Sequence, residues 1–190
     1  MKKFTRTETI VQPVGIRFKG NVVVKRFRTE DGLGHEFTTY HKEGSGAAGI
    51  IALTTDDKII TVYQFRAGPE RWMHDIPGGA VEKGEDPQAA ALREFTEETG
   101  YRPGPVEYLG ENCREAYSNN TCYYFLATDC TPPPAEWRMD EMERDQGAEV
   151  QLISINELIE YAKHDQMTDP VAVLMAYDKL KEIAAHGEHN

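Results

Sequence analysis

Between Asp75 and Tyr101 the chain reads DIPGGAVEKGEDPQAAALREFTEETGY, with seven acidic side chains (Asp75, Glu82, Glu85, Asp86, Glu94, Glu97, Glu98) against two bases (Lys83, Arg93). On a helix turning about 100° per residue, Glu94 and Glu98 stand one turn apart and Glu97 lies beside them. Three carboxylates on adjacent turns repel one another. Arg93, four residues before Glu97, offsets part of that repulsion, and a divalent cation would offset far more. Clustered hard oxygen ligands suit Mg²⁺ or Mn²⁺, which keep waters and bridge to substrate phosphates. The Pro77-Gly78-Gly79 loop just ahead allows close backbone approach, so a carbonyl there can join a metal's shell. Three glutamates alone would equally describe a solvated helix face. The spacing around them has to decide.

The elements that must position these groups are legible from local signals. A helix is expected over 87–99: Asp86 can cap it, Pro87 suits its first position and Gly100 suits a left-handed stop. Ala91, Leu92, Phe95 and Thr99 fall on a face away from the carboxylates, fit to pack under a sheet. Upstream, Asn21–Thr29 and Glu36–His41 read as a β-hairpin around a turn at Glu30–Gly34, and Glu43–Gly46 breaks that pairing. Ala47–Thr54 and Lys58–Phe65 flank Asp56-Asp57 as two strands so continuously apolar that both faces should be covered. Downstream, Val106–Glu111, Tyr123–Ala127 and Val150–Ile153 read as strands, with Thr131–Pro134 ending the second. Ser154 and Glu157 form a capping-box pattern before one helix, and a last helix is expected from Asp169-Pro170 to about Ala185. The fold class expected is α/β: a mixed sheet sandwiched by helices, with an N-terminal antiparallel β arm over 1–45 and a main domain over 46–190.

Composition narrows the partners. The 190 residues carry 21 Lys+Arg against 32 Asp+Glu, a net charge of −11. Such a chain is poorly suited to nucleic-acid backbone or anionic membrane, which reward clustered bases. It can take a polyanionic substrate where a metal or local basic groups reverse the field. Cys113, Cys122 and Cys130 are odd in number and lack CxxC spacing, so neither a disulfide framework nor a zinc knuckle is expected. The start, MKKFTRTETI, has no apolar stretch behind its lysines, and no run approaches the roughly 20 residues that span a bilayer; a cytoplasmic protein is expected. The six histidines show no metal-ligand spacing with one another.

Gly79, Glu85, Arg93-Glu94-Phe95, Glu97-Glu98 and Gly100-Tyr101 together reproduce G-x5-E-x7-R-E-U-x-E-E-x-G-U, with U apolar. Seven fixed identities match, and the segment resembles the signature of the Nudix hydrolases. The order of strands around it also looks like a Nudix α/β/α sandwich. The resemblance implies hydrolysis of a nucleoside diphosphate linked to another moiety, with Mg²⁺ as cofactor and Mn²⁺ as a substitute. It implies Glu94 and Glu98 as metal ligands with the Gly78 carbonyl, and Glu97 as a further ligand or a group that activates water. Glu85, Gly79 and Gly100 would be structural, and Arg93 would orient the catalytic glutamates.

The stretch Val62-Tyr-Gln-Phe-Arg66, then Trp72-x-x-Asp75-Ile-Pro77-Gly78-Gly79, resembles the ADP-ribose pyrophosphatase and nucleoside-diphosphate-sugar branch. There Arg66 would bind phosphate, a role its fork geometry suits, and Trp72 would contact base or ribose. In that branch the β arm exchanges between two subunits, which implies a homodimer with Phe27 or Phe37 stacking on the base. The catalytic base would lie in the acidic loop 139–147, with Glu143 the choice and Asp145, Glu149 or Glu97 the alternatives. Tyr117 resembles a marker of diadenosine polyphosphate hydrolases, which keeps those and other nucleoside-diphosphate-X substrates as the rival. A non-catalytic nucleotide sensor is the third reading, although such domains tend to lose helix glutamates that are all kept here.

Overall fold

The computed structural model describes residues 4–14, 20–42, 46–113, 115–139 and 147–187. In chain order its elements are β1 (Phe4–Val14), β2 (Gly20–Thr29), β3 (Gly34–Lys42), β4 (Gly46–Thr54), β5 (Ile59–Arg66), β6 (Arg71–Asp75), β7 (Gly78–Ala80), α1 (Pro87–Thr99), β8 (Val106–Cys113), β9 (Thr121–Cys130), β10 (Glu149–Ile153), α2 (Ile155–Lys163) and α3 (Pro170–Gly187). The chain divides into two compact units, Met1–Gly46 with Asn112–Cys122, and Ala47–Glu111 with Tyr123–Asn190.

In the first unit β1, β2 and β3 form an antiparallel sheet in that order. The expected hairpin is β2–β3, closed by Gly32 N–H to the Thr29 carbonyl at 2.9 Å and Thr29 N–H to the Leu33 carbonyl at 3.0 Å. The added strand, β1, carries alternating Thr and charge with little apolar signal, and its residues 5–9 are exposed. As an edge strand it needs no buried face, and an edge tolerates its Pro13. Arg26 ties the three strands together, pairing with Glu8 on β1 and with Glu36 on β3 at 2.9 Å. In the same unit, Tyr40 N–H donates to the Tyr117 carbonyl at 2.7 Å and Asn119 N–H to the Tyr40 carbonyl at 3.3 Å.

The second unit holds a mixed sheet of order β10-β5-β4-β9-β8. β4 and β5 pair only at Ala52↔Ile60 and Leu53↔Ile59 and then part. The split is filled from within: β6 pairs the far half of β5, and β7 pairs the start of β4. Neither short strand stands out in the sequence. β7 is Gly-Gly-Ala, whose pairing comes from the neighbouring strand and not from its own propensity.

Pleat alternation sorts the side chains by face. Ala48, Ile50, Ala52 and Ile60 pack with Phe125, Ala127 and the buried face of α1, namely Ala90, Ala91 and Phe95. Leu92, expected on that face, is half-buried beside it. On the opposite face Thr61 Oγ lies 3.2 Å from His74 Nδ1, and the His74 ring stacks on Tyr161 of α2 at 4.4 Å between centroids. Burial depresses the His74 imidazole below its usual range. Ile50, Ile51, Leu53, Ile59 and Ile60 are all at most 1 % exposed, so β4 and the first half of β5 are covered on both faces as expected, whereas Phe65 near the end of β5 is 45 % exposed.

Helix ends follow the local signals. Asp86 accepts from the Gln88 and Ala89 amides, both at 3.0 Å, and Gly100 stands at φ 70° beyond Thr99. Ser154 and Glu157 close a full capping box on α2. The turn between α2 and α3 docks on β6 through His74 N–H to the Gln166 carbonyl at 3.0 Å and Thr168 N–H to the His74 carbonyl at 3.2 Å. Among the described residues no helix is long and apolar enough to cross a membrane.

Candidate active site

The loop Gly78-Gly79 and the helix α1 are built against each other atom by atom. A Cβ on Gly78 would collide with the Ala48 carbonyl oxygen, and one on Gly79 would overlap the Glu94 carboxylate. Glycine at both positions lets the strand-paired loop lie directly on β4 while the Glu94 carboxylate rests on its backbone. From the next turn of the helix Glu98 Oε2 accepts the Gly78 N–H at 2.9 Å. The loop is thus held between a strand and two glutamates.

Arg93 organises the remaining charges. Its Nε and Nη2 grip the two Glu85 oxygens at 3.0 and 3.2 Å, and Nη2 also reaches the Ala80 carbonyl at 3.2 Å. Nη1 donates to Glu94 Oε1 at 2.9 Å and to Glu97 Oε2 at 3.2 Å. Glu85 in turn accepts the Glu82 amide at 2.9 Å, which closes the loop before the helix. The Arg93 hydrogen bond, reinforced by that amide, holds the Glu85 carboxyl below its ordinary range, and its partnership with Glu85 pushes the Arg93 guanidinium up.

Glu94 and Glu97 therefore meet on one guanidinium nitrogen while Glu98 reaches the Gly78 amide. Among the described residues no three acidic, histidine or cysteine side chains stand as a ready-made cation cage. Like charges on adjacent turns settle on whichever donors are in reach. The donor set nevertheless fits a hard divalent ion: carboxylate oxygens at 94, 97 and 98 on one helix face, against a backbone stretch stripped of side chains. Glu94, Glu97, Glu98 and the Gly78 carbonyl are the groups that could hold it.

Arg66 lies on the same side of the sheet. Ile60 packs on α1, so Val62, Gln64 and Arg66 follow on that face, and Asp75, directly opposite Val62, shares it. Arg66 Nε donates to Asp75 Oδ2 at 2.6 Å and Gln64 Nε2 to the same oxygen at 3.0 Å. The Thr168 hydroxyl caps Asp75 Oδ1. Burial pushes the Asp75 carboxyl up, opposed first by the Arg66 charge. The roles of Gln64, Asp75 and Thr168 are absent from the sequence reading. The only signal for them was the Gln-x-Arg spacing and the acid before Ile76-Pro77.

Trp72 and Glu149 face the other side of the sheet. Trp72 points with Tyr63 and His74 to the opposite face, stacked on Tyr63 at 5.5 Å between centroids, so β6 does not bring it beside the helix carboxylates. Glu149 pairs across from Tyr63 and shares that opposite face. Glu143 and Asp145 lie outside the described residues. Phe27, in the first unit, meets Phe37 edge-on at 5.7 Å and lines a cavity of about 290 Å³ with Thr7, Arg26, Arg28, His35 and Glu36.

Comparison with known proteins places the molecule. The chain is 31 % identical over 143 residues to a methanol dehydrogenase activator of Bacillus methanolicus, covering 74 % of this chain and 76 % of the relative. It is 32 % identical over 139 residues to an ADP-ribose pyrophosphatase of Bacillus subtilis (strain 168), covering 72 % and 74 %. A solved structure of an ADP compounds hydrolase superposes with a TM-score of 0.73 at 17 % identity, covering 95 % of each chain, a likeness of fold. The NUDIX domain model matches residues 45–174. That span contains the loop, the carboxylate helix and the split sheet that holds them, and the chain belongs to the Nudix family as an enzyme of its pyrophosphohydrolase class.

Proposed function

We propose that this enzyme hydrolyses the pyrophosphate of a nucleoside diphosphate sugar, ADP-ribose foremost, giving AMP and ribose 5-phosphate. The observation that carries the reading is the placement of Arg66 on the sheet face that packs against α1, where a diphosphate could lie between a fixed guanidinium and the Gly78–Glu98 contact. Similarity to the Bacillus subtilis ADP-ribose pyrophosphatase supports the choice of substrate.

Mg²⁺, or Mn²⁺ in its place, held by Glu94, Glu97, Glu98 and the Gly78 carbonyl, would supply charge neutralisation on the phosphates and acidify a water. The chain's own residues do the rest. Arg66 binds a phosphate through its remaining N–H groups, as the fork geometry of a guanidinium favours. Arg93 keeps Glu94 and Glu97 on the loop side of the helix. Water oxygen attacks one phosphorus, the P–O–P bridge opens and the bridging oxygen leaves with the other phosphate. The proton of the attacking water passes to a carboxylate, with Glu97, Glu143 and Asp145 the candidates. The arm over 1–45 joins two copies, with Val11, Leu33, Phe37 and Tyr40 as its exposed apolar contacts. The net charge of −11 disfavours nucleic-acid backbone as a partner.

The test is kcat/KM measured side by side on ADP-ribose, UDP-glucose, GDP-mannose and diadenosine tetraphosphate with Mg²⁺. The highest value is expected for ADP-ribose. A clear preference for diadenosine tetraphosphate would replace this reading with its rival, and binding without turnover would make the domain a sensor.

A further inference from the structure

Asp75 is the one carboxylate among the described residues that is buried, at 3 % exposure. Burial of an acid is unfavourable unless its partners repay it, and an apolar side chain of similar size often serves stability as well. Here the partners are unusually complete. Oδ2 takes Gln64 Nε2 at 3.0 Å, Arg66 Nε at 2.6 Å and Arg66 Nη2 at 2.5 Å, and Oδ1 takes the Thr168 hydroxyl.

The consequence falls on Arg66. Two of the five guanidinium N–H donors are spent on Asp75. The Arg66 side chain is 41 % exposed, and Asp75 is its one acceptor among the described residues. The guanidinium is thus pinned along one edge and open along the other, on the α1 face of the sheet. Asp75 also lies three residues before Gly78, a chain distance of at most about 11 Å. Thr168 is 93 residues later in the chain and belongs to the α2–α3 turn, so the same carboxylate links that turn to the loop that carries the site.

We propose that Asp75 is a positioning residue: it presets the Arg66 guanidinium toward the substrate diphosphate and fixes that setting to the α2–α3 turn through Thr168. The inference rests on the nucleoside-diphosphate reading of the site given above. A guanidinium already held in its binding geometry loses little freedom when phosphate arrives, whereas a free one must be ordered at that moment.

The experiment compares Arg66→Ala, Asp75→Asn, the double variant and Arg66→Lys in the full-length protein, with ADP-ribose and Mg²⁺. Asp75→Asn is expected to raise KM about tenfold while kcat stays within about twofold, because ground-state binding is what weakens. In the Arg66→Ala background Asp75→Asn should change KM no further, since both act through one guanidinium. Arg66→Lys should resemble Arg66→Ala, because an ammonium keeps the charge but not the two-nitrogen grip. Ile159→Val in α2, a mild core change, serves as a stability control that leaves KM unmoved.

A KM that rises in Arg66→Ala but not in Asp75→Asn, or effects that multiply in the double variant, would overturn the positioning role alone. An Arg66→Ala enzyme with unchanged KM would overturn it together with the phosphate-binding reading of Arg66. A substrate-free arm separates the two further: the Arg66 Nε–Hε resonance should be protected from exchange in the wild type and in Ile159→Val, and lost in Asp75→Asn. An unchanged resonance in Asp75→Asn refutes the preset guanidinium whatever the substrate.

Discussion

Glu98→Gln separates chemistry from architecture at this site. The change is isosteric and removes one of three negative charges from the helix face formed by Glu94, Glu97 and Glu98. The structure says what survives: the amide oxygen of the substituted side chain can still accept the Gly78 N–H that Glu98 Oε2 accepts at 2.9 Å, so the loop keeps its anchor. Exchanging a charge-assisted bond for a neutral one costs about 1 kcal/mol, or about 2–4 °C in Tm for a chain of this size. Catalysis stands to lose far more. A ligand charge at a metal-assisted phosphoryl site supports several kcal/mol of transition-state stabilisation. At about 1.4 kcal/mol per tenfold, a loss of about 3–5 kcal/mol lowers kcat by about 10²–10⁴. The assay is AMP release from ADP-ribose against Mg²⁺ concentration, paired with a thermal melt. Near-wild-type turnover at every Mg²⁺ concentration would refute the assignment of Glu98, and a collapse of Tm would show that its role is structural.

Three further outcomes are expected, two from the geometry of the site and one from the dimer proposed above. Gly79→Ala places a methyl on the Glu94 carboxylate and should lower kcat/KM by about 10²-fold; wild-type kinetics in this variant would contradict the close approach. Arg93→Ala should lower Tm by about 2–4 °C at pH 7 and flatten its dependence on acid. Glu85 is held below its usual range by Arg93, so its stabilisation is present above about pH 4.5 and lost as pH falls through the depressed value; parallel melting curves of the two proteins between pH 3 and 7 would count against this. Light scattering should return twice the 21.5 kDa chain mass, and a deletion of residues 1–45 that stayed dimeric would remove the arm from the interface.

The parts of the fold that were legible in the sequence are those encoded by neighbours along the chain. The helix α1 runs over the expected Pro87–Thr99 because its start and stop are single residues acting locally, Asp86 as acceptor for two amides and Gly100 in the left-handed region. The capping box of α2 and the two apolar strands behave likewise. The strands that went unread had no such signal. β1 is a polar edge, and β6 and β7 become strands only because β4 and β5 separate and leave open ladders for them.

The same division runs through the site. Helical periodicity by itself set Glu94, Glu97 and Glu98 on one face, and the seven matched identities told what family of chemistry that face serves. Periodicity says nothing about which face of a sheet a strand residue takes, because one step of register reverses every side chain. Only the packing of Ile60 on α1 puts Arg66 on that side, only the pairing of Val62 with Asp75 brings Asp75 there, and only that of Tyr63 with His74 and Glu149 sends Trp72 and Glu149 to the other. The closure of the buried Asp75 by a hydroxyl 93 residues away has no trace in local sequence. Spacing along one helix is a property of the chain; the meeting of distant strands and turns is a property of the packed fold.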